Sequence, residues 1–285
     1  MTDYNEIITT VTPKKKLFDL NLKETFKYKD LISLLVTRTF KARYKQMLLG
    51  PIWAVIQPLL TTIVFTVVFG KIANLPTDGA PQFMFYMCGN VLWSYFSTCL
   101  NGGANVFTEN AYVFSKVYFP RLVSPIANAL GNMINFVIQS VIFFGFLAFY
   151  VINGTITPTY YLIPLSLLLV LEVTLLSMGI GTLLASLTVK YRDLKMLIAF
   201  GIQLWLYATP IAYSSVLVKE KMPQLYNLYM LNPMAPVVEA MRKIYLGVGN
   251  INYKYLLISA AVSVAFALIG TAVFNRTEKT FADKI

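Results

Sequence analysis

The sequence predicts an all-α integral membrane protein with six transmembrane helices and both termini on the cytoplasmic side, and three observations carry that prediction. The chain of 285 residues is 57% hydrophobic and 13% charged, with a mean hydropathy of +0.62, too apolar for a soluble domain of that length. Its charge-free runs reach the ~20 residues that a helix needs to cross ~30 Å of hydrocarbon. Its cations are segregated: with the N-terminus inside, the first fifty residues, the loops 106–121 and 189–195 and the tail after 275 hold 18 of the 24 Lys and Arg, as the inward bias of cationic loops requires.

Residues 1–26 are polar and include Lys14, Lys15 and Lys16. They read as a cytoplasmic tail without the apolar core of a cleavable leader, so that the first span directs insertion. Residues 27–48 carry Leu31, Leu34, Leu35, Phe40, Tyr44 and Leu48 at helical spacing, with Arg38, Lys41 and Lys45 three and four apart along one stripe. This is an amphipathic helix for the inner interface, where it can anchor the chain or gather an anionic head group at a cytoplasmic entrance. From 49 to 285 the chain reads as one transmembrane domain, with spans near 52–72, 83–105, 122–151, 160–188, 196–216 and 254–275. Spans 3 and 4 part at Asn153, Gly154, Thr155 and Pro158, a turn-forming cluster inside a run of fifty uncharged residues.

Polar residues inside the spans are patterned. Span 2 places Tyr86, Asn90, Ser94, Ser97, Asn101 and Asn105 at intervals of three or four, and span 3 does the same with Ser124, Asn128, Asn132, Asn135 and Gln139. Each stripe serves either hydrogen bonding between helices or a pathway of neutral amides and hydroxyls suited to hydroxyl-rich cargo. Ser177, Gly181 and Ala185 in span 4, with Ser259 and Ser263 in span 6, are small residues that let helices approach closely. Glu172 is the one acidic residue within a span. A carboxylate there costs on the order of 3 kcal/mol and must face protein or water, as a structural hydrogen bond, a cargo or gate contact, or a proton relay. Cys88 and Cys99 stand roughly 16 Å apart along one helix, beyond disulfide reach, and read as buried thiols. The connection 217–253, punctuated by Pro223, Pro233 and Pro236, suits short helices dipping into the outer leaflet as an external gate.

Several chemistries lack their residues. Histidine is absent, which removes Ser-His-Asp and Cys-His catalysis, and two cysteines cannot make a structural zinc site. There is no G-x-x-x-x-G-K-[ST] loop to hold ATP. A single intramembrane acid and the lack of an internal repeat disfavour a proton-coupled secondary transporter. The net charge of +11 follows from topology, without nucleic-acid binding.

Four motifs follow one another along the chain. Arg43-Tyr44-Lys45, Leu49-Gly50, Trp53 and Pro58-Leu59 lead into span 1, and Glu109-Asn110-Ala111 to Lys116-Val117-Tyr118-Phe119-Pro120-Arg121 fill the first inner loop. Lys190-Tyr191-Arg192-Asp193 forms the second, while Thr209-Pro210, Asn232-Pro233-Met234 and Arg242 to Gly247 lie in the outer segment. Over roughly residues 27–275 this order resembles the membrane subunit of ABC-2 type exporters, the branch that exports O-antigen, capsule and teichoic-acid polymers. Thr39 and Met47 depart from it, standing where an acidic residue and a serine are frequent in that family.

The resemblance implies the ABC-2 exporter fold and a homodimer with its pathway between protomers. It also implies two ATP-binding cassette subunits that bring ATP and Mg, while this chain holds no cofactor and no metal. Glu109, Asn110, Lys116, Tyr118, Pro120, Arg121, Tyr191, Arg192 and Asp193 would then couple to the ATPase. The cargo would be a lipid-linked polysaccharide on polyprenyl pyrophosphate, O-antigen first and teichoic acid or capsule as alternatives, exported across the bacterial inner membrane. Its head group would meet Arg38, Lys41, Arg43 or Lys45. Phe65, Phe69, Tyr86, Asn90, Trp93, Ser94, Asn128, Asn132, Asn135, Trp205 and Tyr207 are candidates to line the pore, and Pro210, Asn232, Pro233, Met234 and Arg242 to form the outer gate.

Overall fold

A computed structural model of the chain describes residues 25, 27–44, 50–110, 114, 119–191 and 193–281. All regular structure among the described residues is helical. Helix α1 (Lys29–Tyr44) precedes α2 (Trp53–Phe65), which runs on as a π-helical segment, Thr66–Ile72. There follow α3 (Gln82–Ala104), α4 (Val123–Ile152), α5 (Ile163–Thr188) and α6 (Leu194–Tyr207). Two short helices, α7 (Ser215–Lys221) and α8 (Pro223–Tyr229), lead to α9 (Met234–Leu246) and the long α10 (Tyr253–Phe281).

Four segments are long and apolar enough to cross a membrane: Trp53–Ile72, Val123–Ile152, Tyr160–Thr188 and Tyr253–Thr277. The hydroxyls of α2 and its continuation fold back on the helix's own carbonyls, Thr61 on Gln57 (3.0 Å), Thr62 on Pro58 (2.8 Å) and Thr66 on Thr62 (2.7 Å), which satisfies them within the helix. Helix α3, with 23 residues, measures roughly 35 Å, long enough to cross at 1.5 Å per residue. It is less apolar because it lies at the bundle centre, where α2, α4, α5, α6 and α9 cover it in place of lipid. The fifth span differs from the expected 196–216. Its helix stops at Tyr207 after 14 residues, because Pro210 offers no N–H and disfavours a helical conformation at Thr209 before it.

The loops sort into two ends. One gathers residues 104–110, Phe114, residues 119–122 and 185–191 and Phe274 of α10, with α1 against it; Thr188 Oγ1 donates to the Ala104 carbonyl at 3.0 Å. This is the basic end. The far end joins 70–82, 152–162 and 208–252: Gln82 Nε2 donates to Gly70 O (3.0 Å), and Thr159 N to Ile244 O (2.8 Å).

Close backbone contact sets the centre. A Cβ on Gly103 of α3 would stand 3.1 Å from Gly181 Cα of α5, and one on Gly179 would run into the backbone of Phe266 and Ala267 in α10. Packing of this kind is the usual substitute for hydrophobic drive in lipid. Gly179→Ala is therefore expected to cost about 1–3 kcal/mol by overpacking, whereas Gly145→Ala, whose Cβ would meet nothing beyond its own helix within 4 Å, should leave the unfolding midpoint the same or slightly higher. Thermal unfolding followed by size-exclusion recovery compares the two.

Candidate functional site

At the basic end, Ile32 and Leu35 hold α1 against a cluster that includes Phe107, Phe114, Phe119, Leu122 and Phe274. Arg38 and Lys41 point away from it, exposed. Arg43 lies in α1 by its backbone, but its side chain and the whole of Lys45 fall outside the described residues. The first inner loop is moored by aromatic contacts: Phe107 stacks on Phe274 (4.6 Å between centroids) and meets Phe114 (6.0 Å), which meets Phe119 (5.6 Å). The Arg121 guanidinium stands over the Phe114 ring at 5.3 Å. Glu109 is exposed and Pro120 half-buried, while Asn110 turns its amide onto Val106 O (3.1 Å). In the second loop Tyr191, 49% exposed, lies under the Lys190 ammonium, and Asp193 is exposed. Lys116, Tyr118 and Arg192 fall outside the described residues.

The two polar stripes have divided duties. Asn128 Nδ2 donates to Cys99 O (2.9 Å), and Asn132 Nδ2 to the carbonyl and Oδ1 of Asn128 (3.0 Å each), which stitches α4 to α3. Asn90 reaches Thr62 of α2 at 3.4 Å. Further along α4, Asn132, Asn135 and Gln139 open with Ser94 and Thr98 of α3 and Gln57 of α2 onto a cavity of about 190 Å³, walled by Trp53, Tyr95 and Phe136. The candidate aromatics sit elsewhere. Phe65 packs on Phe69 (5.1 Å) and Tyr86 (6.2 Å) towards the far end, and Trp93 joins Phe96 and Trp205 between α3 and α6. Phe65, Tyr86 and Trp93 are buried within this one chain, Phe69 and Trp205 half-buried, and Tyr207 exposed.

The far end is organised by Asn232. Its Oδ1 accepts from Trp205 Nε1 (2.9 Å) and from Met234 N (3.1 Å), opening α9, while its Nδ2 donates to Ala208 O (2.9 Å) and Thr209 Oγ1 (3.1 Å). One amide thus joins the broken end of α6 to the start of α9. Pro210 and Met234 are buried beside it and Pro233 is half-buried. Arg242, 1% exposed, lies with its guanidinium 3.5 Å above the Phe85 ring and donates to Ile211 O (2.9 Å), Tyr213 O and Glu239 Oε1 (3.4 Å each). Glu239 accepts in turn from Ser215 N (3.1 Å). Burial pushes the Glu239 carboxyl up, opposed by Arg242, and the guanidinium down, opposed by Glu239.

Sequence reasoning missed Glu239, although its place three residues before Arg242 is a helical pairing distance. It also missed the partner of Glu172. Ser259 of α10 hydrogen-bonds both the Glu172 carboxyl and Pro233 O (2.6 Å), so α5 and α10 are tied to the start of α9. Gln can fill this role, so Glu172→Gln should leave assembly and export within about two-fold of wild type. Strict loss of export from a normally assembled variant would instead mark a proton carrier.

A family model described as ABC-2 type transporter matches residues 30–246, which takes in α1, both inner loops, the cavity and the Asn232 and Arg242 clusters. The chain belongs to the ABC-2 type transporter family. It is 26% identical over 254 residues to the O-antigen export system permease protein RfbA of Klebsiella pneumoniae, covering 89% of this chain and 94% of the relative. It is 27% identical over 267 residues to the protein of the same name from Myxococcus xanthus, covering 93% and 98%. As an ABC-2 membrane subunit it is a multi-pass transport component without a catalytic domain, binds no cofactor itself and works with an ATPase subunit.

Proposed function

We propose that this chain is the membrane subunit of an ATP-driven exporter that moves a lipid-linked polysaccharide, O-antigen on a polyprenyl pyrophosphate, across the bacterial inner membrane. The observation that carries the reading is the end-to-end match with O-antigen export permeases, which leaves almost none of their length unaccounted for. The chain crosses six times, α3 and α6 completing the four long apolar segments, with its basic end and both termini in the cytoplasm; the segregated Lys and Arg support this. It acts as a homodimer with two ATPase subunits, and the loops around 106–121 and 189–195 receive their motion as rigid bodies. The far-end segment 208–252 is the outer gate.

Deleting the chain in its host and following the polymer tests this. O-antigen should vanish from the surface while its lipid-linked form accumulates inside. Loss of capsule or teichoic acid with intact O-antigen would reassign the cargo, and export that continues without the chain would overturn the reading. The exposed pair Arg38 and Lys41 supports an entrance for an anionic head group. The double charge reversal Arg38→Glu, Lys41→Glu should therefore weaken ATPase stimulation by lipid-linked substrate about thirty-fold or more, since each basic residue near an anionic lipid surface contributes about 1 kcal/mol. Wild-type stimulation would sink the entrance role.

A further inference from the structure

We infer that the cavity between α2, α3 and α4 is a binding site for a neutral, hydroxyl-rich ligand, a single glycosyl unit of the exported polymer. The inference rests on the proposed cargo and adds to it a place within one protomer where a sugar is held.

Position comes first. Trp53 is the first residue of α2, and Thr98 and Asn132 lie within about two and three turns of the ends of α3 and α4 at the basic end. The cavity therefore runs from near the basic end to about the middle of the bundle, where Ser94 and Gln139 stand, and a cargo arriving from the basic end reaches its mouth first. It is also separate from the Trp93, Phe96 and Trp205 cluster, because Ser94, Tyr95 and Thr98 occupy a different face of α3.

Chemistry comes second. The wall supplies two kinds of uncharged polar group: amides from Gln57, Asn135 and Gln139, and hydroxyls from Ser94 and Thr98, beside the rings of Trp53, Tyr95 and Phe136. No ionisable acid or base lines it, so it offers nothing to neutralise a phosphate, and an anionic head group fits the exposed cations of α1 better. Amides that both donate and accept, set beside aromatic faces, match the alternating hydroxyls and C–H faces of a pyranose.

The third observation points to an occupant. Gln139 is 7% exposed, lines the cavity, and its Oε1 has no hydrogen-bond partner. A buried amide oxygen without a donor is costly inside a membrane, and a sugar hydroxyl would satisfy it. The Tyr95 hydroxyl is already engaged with Thr174 of α5 at 2.8 Å, which fixes its ring against Phe136 (5.0 Å between centroids) as a rigid wall.

Thiol protection tests the site directly. Thr98 is exposed at the rim and bonds only to carbonyls of its own helix, so Thr98→Cys is conservative. In the assembled transporter in nanodiscs, a small neutral maleimide should label this cysteine. Lipid-linked polysaccharide purified from the host should slow the labelling about ten-fold, while sugar-free polyprenyl pyrophosphate should not. Adding Gln139→Leu should remove the protection; where that variant assembles poorly, Ser94→Cys labelling repeats the measurement from a second position. No labelling without cargo, no protection by the glycan carrier, or equal protection by the sugar-free carrier would each overturn the inference. Export measured in the same host keeps the two readings apart, since export that depends on the chain without protection at residue 98 removes only the cavity site.

Discussion

Replacing Arg242 with Met should destabilise the protein by about 3–5 kcal/mol, the usual cost of leaving one member of a buried ion pair alone. Three segments converge on this guanidinium. It supplies the hydrogen bonds for the Ile211 and Tyr213 carbonyls in the stretch after α6, it lies on Phe85 of α3, and it pairs with Glu239 on its own helix. Gly89 makes the room, since a Cβ there would stand 3.4 Å from Nη2 and 3.2 Å from Ile211. With Met in place, Glu239, 3% exposed, keeps only the Ser215 N–H among these partners. Adding Glu239→Gln should restore part of the loss, and the difference between the double variant and the sum of the singles measures the coupling. Thermal unfolding of the purified complex gives all four values. A single variant that loses less than about 1 kcal/mol would mean that water reaches the pair and screens it.

The helices were readable because lipid imposes a length and a polarity that leave a mark in every span it touches. Val123–Ile152 and Tyr253–Thr277 leave much of their surface uncovered by the rest of the chain and show it as long apolar sequence. Where protein replaces lipid, the mark fades. Helix α3 carries Asn90, Ser94 and Asn101 because its neighbours cover it, and α6 is short because Thr209-Pro210 breaks it inside the segment read as a span.

The polar stripes were legible as periodicity alone. A period of three or four puts Asn128, Asn132, Asn135 and Gln139 on one face of α4 but does not say what that face meets. In the fold Asn128 turns its amide onto Cys99 and Asn132 turns its amide onto Asn128, while Asn132, Asn135 and Gln139 border a cavity shared with Gln57, which belongs to no stripe. Glu239 escaped for a related reason. Its burial depends on α3 and the 208–215 stretch folding over α9, contacts between residues far apart in the chain.

Arg121→Glu should reduce export by about ten-fold or more while the complex still assembles, because on the proposed coupling role of this loop a reversed charge opposes the partner that the original charge suits. The residue stands at the end of the first inner loop, half-buried, with its guanidinium over Phe114. Phe114 is itself packed between Phe107 and Phe119, and Phe107 stacks on Phe274, so the described part of the loop is joined to α10 through contacting rings. Under the proposed coupling role, a push on this loop would reach the bundle through these rings. Two companions separate docking from folding. Arg121→Lys keeps a cation over the ring, a contact worth about 0.5–1 kcal/mol at such a site, and should export normally. Arg121→Gln removes the charge without reversing it and should fall between the two. ATPase activity that persists in Arg121→Glu while export stops is the expected signature of uncoupling; normal export from a stably assembled complex would remove the docking role from this loop.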